Sequence, residues 1–183
     1  MKITLILFLL SLTLAQRYLS EGGGPLPIAD VYIQHMSRKG KTDFWKVNND
    51  NWIVPISAHA LIPGAITKVK FELLNGNRFE MGCVKANTQN GAYINKVGYV
   101  ADSGTKVVFG EVMQYGSPAS VGDVITMTVD LRPYENTLSF AKNGLDMGIA
   151  FQGLNLWGDE IYVYFAMLYK GHKLRVIGYE VEL

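Results

Sequence analysis

The sequence predicts an all-β chain, an antiparallel β-sandwich in a single domain, and three observations carry that prediction. From Thr67 onward apolar residues recur at every second position, the period of a half-buried strand. Asn-Gly dipeptides stand between such runs, where a tight reversal needs positive φ. No segment longer than about ten residues carries an apolar stripe of helical period. Composition agrees. A chain of 183 residues that is 49% hydrophobic can bury a sizeable core, and 18% charged residues are too few for a disordered one.

The first segment, residues 1–16, reads MKITLILFLLSLTLAQ: Lys2 precedes an apolar run over 3–15. A bilayer-spanning helix takes roughly 20 residues, so this run is too short to be a stable membrane span. It has the length of a signal-peptide apolar region, and Thr13-Leu14-Ala15 offers a small-residue cleavage site. Residues 1–15 are therefore read as a signal peptide, which places the protein outside the cell or in the secretory lumen. The alternatives are a buried N-terminal strand or an uncleaved anchor, and an uncleaved chain would be cytoplasmic. Residues 16–40 hold Gly22-Gly23-Gly24-Pro25 and Pro27, a linker or loosely docked arm. It is no phosphate loop, because no Gly-Lys-Ser/Thr follows. The sandwich is expected over 41–183, irregular at first, with a polar loop at Asn48-Asn49-Asp50-Asn51.

Over 67–73, Val69, Phe71 and Leu73 alternate with Lys68, Lys70 and Glu72. After Asn75-Gly76-Asn77, the residues Phe79, Met81 and Cys83 alternate with Arg78, Glu80 and Gly82, so the two runs are expected to pair as a hairpin. Ile125, Met127, Val129 and Leu131 form the next apolar face. The clearest hairpin turns at Asn143-Gly144, with Leu138 and Phe140 before it and Leu145, Met147, Ile149 and Phe151 continuing the face. The run IYVYFAMLY over 161–169 is apolar on both faces, as in a strand covered from both sides. Lys170-Gly171-His172-Lys173 reads as another hairpin turn. In the last strand the apolar phase slips at Ile177-Gly178, which suggests a bulge.

The stretch SVGDVI at 120–125, Asp130, the run TLSFAKNG at 137–144, Gly148, Ala150-Phe151 and Tyr164-Phe165-Ala166 resembles the SPRY domain, also called B30.2/SPRY. Lys70-Phe71-Glu72-Leu73, the strand 79–84 and Gly98-Tyr99 are similar to earlier parts of that family's pattern, and the resemblance covers about residues 70–178. It implies a bent sandwich of two antiparallel sheets, concanavalin-like and of jelly-roll type. It also implies a non-catalytic module that binds protein surfaces or short peptides through loops at one end.

The remaining chemistry is sparse. A net charge of +1 gives no clustered positive field for nucleic acid, and one cysteine excludes an intrachain disulfide. His35, His59 and His172 form no metal-binding spacing, and no Gly-x-Ser-x-Gly nucleophile motif occurs. No catalytic residue, metal or cofactor is expected. Cys83, beside Phe79 and Met81, reads as a buried, inert thiol. Asp43 with Asn48 to Asn51 lacks the DxDxDG pattern of a calcium loop and reads as a turn. Arg38, Lys39 and Lys41 beside Phe44 and Trp45 read as a solvated loop, with an anionic-ligand patch as the alternative. Rigid aromatics in loops suit binding rims, and the candidates are Tyr93, Asn95, Tyr115, Tyr134 and Trp157. A protein or peptide ligand is expected; the alternative is a secreted carbohydrate-binding, lectin-like domain, with Trp and Asn side chains stacking on and hydrogen-bonding a glycan.

Overall fold

The computed structural model describes residues 36–39, 43–46, 57, 59–85, 96–154 and 160–183. Their strands are β1 (Met36–Lys39), β2 (Asp43–Lys46), β3 (Ile66–Asn75), β4 (Phe79–Lys85), β5 (Lys96–Val100) and β6 (Thr105–Val108). There follow β7 (Glu111–Gln114), β8 (Val124–Asp130), β9 (Thr137–Lys142), β10 (Leu145–Gln152), β11 (Ile161–Met167) and β12 (Lys173–Glu182). They form two antiparallel sheets, ordered β1-β2-β12-β3-β8-β9-β10 and β11-β4-β5-β6-β7, stacked as a sandwich. β1 lies within the 16–40 stretch read as linker or arm, and its pairing with β2 puts Arg38 and Lys39 in a strand instead of a solvated loop. Residues 1–35, including the expected signal peptide and His35, lie outside the described residues, as do Asn48 to Asn51.

The period-2 faces become the core. Val69, Phe71 and Leu73 of β3 and Ile125, Met127 and Val129 of β8 are fully buried, facing Phe79, Met81 and Cys83 of β4. Phe165 packs tilted on Phe44 at 5.2 Å and edge to face on Phe71 at 6.0 Å, and Tyr99 packs on Phe140 at 5.5 Å. Each such side chain contributes about 1.5–3 kcal/mol on burial. Burial also pushes the Cys83 thiol pKa far up, so the buried, inert reading stands.

The hairpin expected between β3 and β4 does not form. β3 pairs with β12 and β8 in the larger sheet, whereas β4 pairs with β11 and β5 in the smaller one. The Asn75-Gly76 turn, with Gly76 at φ +79°, crosses between sheets. So does the 168–172 connection, likewise expected as a hairpin turn. The two crossings clasp each other: Asn75 Nδ2 donates to the Gly171 carbonyl at 2.8 Å, and a Cβ on Gly76 would collide with the His172 ring. A turn dipeptide specifies reversal but not the neighbour. Here stacking lets the apolar faces of β3 and β4 cover each other, which side-by-side pairing would not.

The β9–β10 hairpin forms as expected, with Asn143 and Gly144 at φ +52° and +83°. Its second arm keeps half of the expected alternation: Met147 and Phe151 pack against the core, but Leu145 and Ile149 are 74% and 56% exposed, while Ala150 is buried. Gly148 at φ +81° resets the pleat, and register shifts flank Ile149. The expected bulge in β12 is present between Val176 and Gly178.

The Gly-Asp and Asn-Gly turns are joined. Asp123 accepts hydrogen bonds from Ser120 N at 2.8 Å and Asn143 Nδ2 at 2.7 Å, and Asn143 Oδ1 accepts from Val124 N at 2.8 Å. The outer face of the larger sheet is a charge ladder: Lys68–Glu182 at 2.6 Å, Lys70–Glu180 at 3.1 Å and Arg175 between Glu72 and Asp43. Over β11, β4 and β5 the outer face of the smaller sheet is largely buried instead, which explains the doubly apolar 161–169 run, whereas β7 at its edge is exposed. There Tyr164 lies over Gly98, the Lys96 ammonium pairs with Glu80 at 2.6 Å, and Tyr164 donates to the same carboxylate oxygen at 2.5 Å.

Candidate functional site

At the end of β8, Asp130 holds the chain that follows. Its carboxylate accepts from Arg132 N at 3.0 Å and from the Arg132 guanidinium through both oxygens, Nη2 lying 2.6 Å from Oδ2. The guanidinium bonds keep the Asp130 pKa below the usual carboxylate range. Backbone hydrogen bonds tie the two ends of the 131–136 connection into neighbouring segments. Leu131 N donates to the Ala65 carbonyl at 2.9 Å, and Gly64 N donates to that of Leu131 at 3.0 Å. At the other end the Asn136 carbonyl accepts from Gly153 N and Leu154 N, at 2.9 and 3.2 Å.

Between these anchors, Tyr134 and Asn136 take φ of +76° and +49°, conformations that side chains other than glycine seldom adopt. Tyr134 is 97% exposed, the most exposed large hydrophobic side chain among the described residues. The connection walls a cavity of about 610 Å³ with the Pro63-Gly64 turn, the end of β10 at Gln152 and the start of β11 at Ile161. That volume falls within the range of small-ligand and peptide-side-chain sites. Leu131, Pro63, Pro133 and Ile161 give the cavity apolar surface, and among the described residues Glu135 is the one charged residue of its lining.

Of the five residues read from the sequence as a binding rim, Tyr134 is in this cleft. Tyr115 is not. It is half-buried, its hydroxyl donating to the Gly148 carbonyl and accepting from Phe140 N at 3.2 Å, with its ring against Tyr99 and Phe140. Burial raises its pKa to about 12. Tyr115 thus ties the smaller sheet to β10. Tyr93, Asn95 and Trp157 lie outside the described residues. Sequence reasoning missed Pro63, Glu135, Gln152 and Ile161. The Pro-Gly at 63–64 and Arg-Pro at 132–133 mark turns, but nothing in the sequence says that these turns adjoin.

Asp43 and His172 have partners within the fold. Asp43 is held by Arg175, Nε to Oδ1 at 2.6 Å and Nη2 to Oδ2 at 3.0 Å, with the Lys173 ammonium at 3.4 Å, which leaves a calcium reading no support from this carboxylate. His172 is packed between Phe79 and Tyr169 at 5.4 and 5.3 Å, and burial lowers its pKa. Among the described residues no group of three or more His, Cys, Asp or Glu could hold a metal, and no helix is long and apolar enough to cross a membrane.

No protein-family model matches the sequence, and no curated protein matches it. Solved structures do. The SPRY domain of human HERC1 superposes with a TM-score of 0.67 at 19% identity, covering 86% of this chain and 98% of that one. The PSpry domain of TRIM65 superposes with a TM-score of 0.64 at 14% identity, covering 88% and 97%. Both neighbours are SPRY domains, and they give the carbohydrate-binding alternative no support. The paired Gly-Asp and Asn-Gly turns, the two-sheet order and these superpositions agree, and the chain has the fold of a SPRY domain.

Proposed function

We propose that the protein is a non-catalytic interaction module that binds a segment of a protein, or a short peptide, in the cleft beside Tyr134. One observation carries this reading: an aromatic ring is held almost wholly in solvent, on a left-handed backbone, at the mouth of a cavity. Such a conformation costs on the order of 1 kcal/mol or more, and it persists where its surroundings over-determine it, often at binding sites. Here the surroundings are the Asp130–Arg132 clamp and the backbone bonds to Ala65, Gly153 and Leu154. Large rigid rings give contact area at small entropy cost, which suits Tyr134 to anchoring a partner. The SPRY fold of the chain supports the same reading.

The test is amide chemical-shift mapping with peptides selected against the protein from a random library. Shifts are expected to concentrate in Leu131 to Asn136, Gly64 and Gly153, and Tyr134→Ala is expected to weaken binding at least about tenfold, as truncating an interface anchor does. Binders that shift other regions and ignore Tyr134→Ala would overturn the proposal. We further propose that residues 1–15 are a signal peptide. The intact mass of the protein from its native source tests this, since cleavage leaves a chain beginning at Gln16.

A further inference from the structure

We infer that the preferred occupant of the Tyr134 cleft is a cationic peptide segment, with an arginine laid over the Tyr134 ring and paired with Glu135. The inference rests on the binding role proposed above and adds the chemistry of the ligand.

Charge is the first argument. Among the described residues of the cavity lining, Glu135 is the one carboxylate and there is no cation. Arg132, which precedes Pro133 in the same connection, is committed to Asp130 through its Nε and Nη2, and lies in the field of Glu135 and Glu182 as well. Its positive charge is thus already matched. On that side exposed Glu160 stands immediately before Ile161 of the lining and exposed Lys85 is the cross-strand partner of Ile161, so these two charges offset and Glu135 sets the sign of the cleft. An acidic segment would be repelled by Glu135 and would find no cationic side chain among the described lining residues.

Shape and surface are the second argument. A ring 97% exposed presents an aromatic face to solvent, and a cation within about 6 Å of such a face is attracted by its quadrupole. Pro63, Pro133 and Leu131 supply apolar surface on which the methylene stem of a long cationic side chain can lie. Arginine suits this arrangement better than lysine: its planar guanidinium stacks on a ring while its fork of N–H donors engages a carboxylate. Ring and carboxylate belong to consecutive exposed residues, Tyr134 and Glu135, and both residues line the cavity.

The experiment compares two fluorescein-labelled peptides, Gly-Ser-Leu-Arg-Pro-Gly-Ser and the same peptide with citrulline in place of arginine. Citrulline keeps the shape and loses the charge. Fluorescence anisotropy at about 50 mM salt is expected to show the arginine peptide binding about tenfold more tightly, with the ratio shrinking at about 500 mM as screening grows. Glu135→Gln should bring the two peptides to within about twofold, whereas Tyr134→Phe, which keeps the ring, should retain the preference. Both side chains are exposed, so their variants should fold, and an unchanged thermal midpoint checks this. Equal binding of the two peptides, weakened alike by Tyr134→Ala, would overturn the inference while leaving the cleft a peptide site. Binding of neither peptide would overturn it also, and peptides selected without regard to charge would then decide the wider proposal.

Discussion

At Asp43, two hydrogen bonds from the Arg175 guanidinium, helped by the Lys173 ammonium, lower the carboxyl pKa to about 2 from an ordinary value of 3.8. A folded-state pKa below the unfolded one stabilises the fold above about pH 4, and that stabilisation disappears as pH falls toward 2. Asp43→Asn is therefore expected to lose about 1–2 kcal/mol at neutral pH, with the gap to the parent closing between about pH 4 and pH 2. Urea unfolding across that range measures it, and a gap independent of pH would assign the effect to packing instead of charge. Single residues differ in how plainly the sequence shows their role. Asn143-Gly144 is legible because a two-residue turn demands positive φ from neighbours in the chain. Asp43 is not, because its partner Arg175 is brought beside it only when β12 pairs with β2.

Among elements, β10 and β4 show two different uses of glycine. Gly148 sits at φ +81° with open space where a Cβ would point, so Gly148→Ala meets backbone strain alone and is expected to cost about 1 kcal/mol. Gly82 faces Gly98 across the β4–β5 pair, and a Cβ there would lie 2.0 Å from the Val97 carbonyl oxygen. Backbone cannot yield as a side chain does, so Gly82→Ala is expected to cost more than about 3 kcal/mol. Thermal unfolding of both variants tests the contrast, and equal losses would refute it. The alternation in β8 and β9 is readable because each presents one face to the core. In β10 it misleads in part: the left-handed glycine lies in a register shift that leaves Ile149 outward along a bulged sheet edge. Bulged edges are poor templates for further strands, so this irregularity also disfavours edge-to-edge aggregation.

On the scale of the whole molecule, the two sheets treat their outer faces differently. The larger carries exposed, paired charges, while the smaller buries an ion pair, Glu80 and Lys96, whose side chains are each 4% exposed. Removing Lys96 leaves the buried Glu80 charge unmatched, with a neutral donor, the Tyr164 hydroxyl, still bonded to it. Lys96→Met is expected to cost about 3–5 kcal/mol, and Glu80→Leu combined with Lys96→Met should recover part of that loss, the rest staying with the buried Tyr164 hydroxyl that loses its acceptor. Denaturant unfolding of the single and double variants checks this, and a double variant no better than the single would show that the pair is not the source. The sequence by itself determined the all-β class, the position of the tightest hairpin, the core faces of β3, β8 and β9, and the bulge in β12. These follow from short-range rules, the two-residue period of a strand and the φ demanded by a turn. Only the tertiary structure decided that β3 and β4 belong to opposite sheets, that Tyr115 ties β10 to the smaller sheet while Tyr134 stands in a cleft, and that Glu80 and Lys96 are buried. Those outcomes depend on contacts between residues far apart in the chain, whose energies exist only once the sheets have stacked.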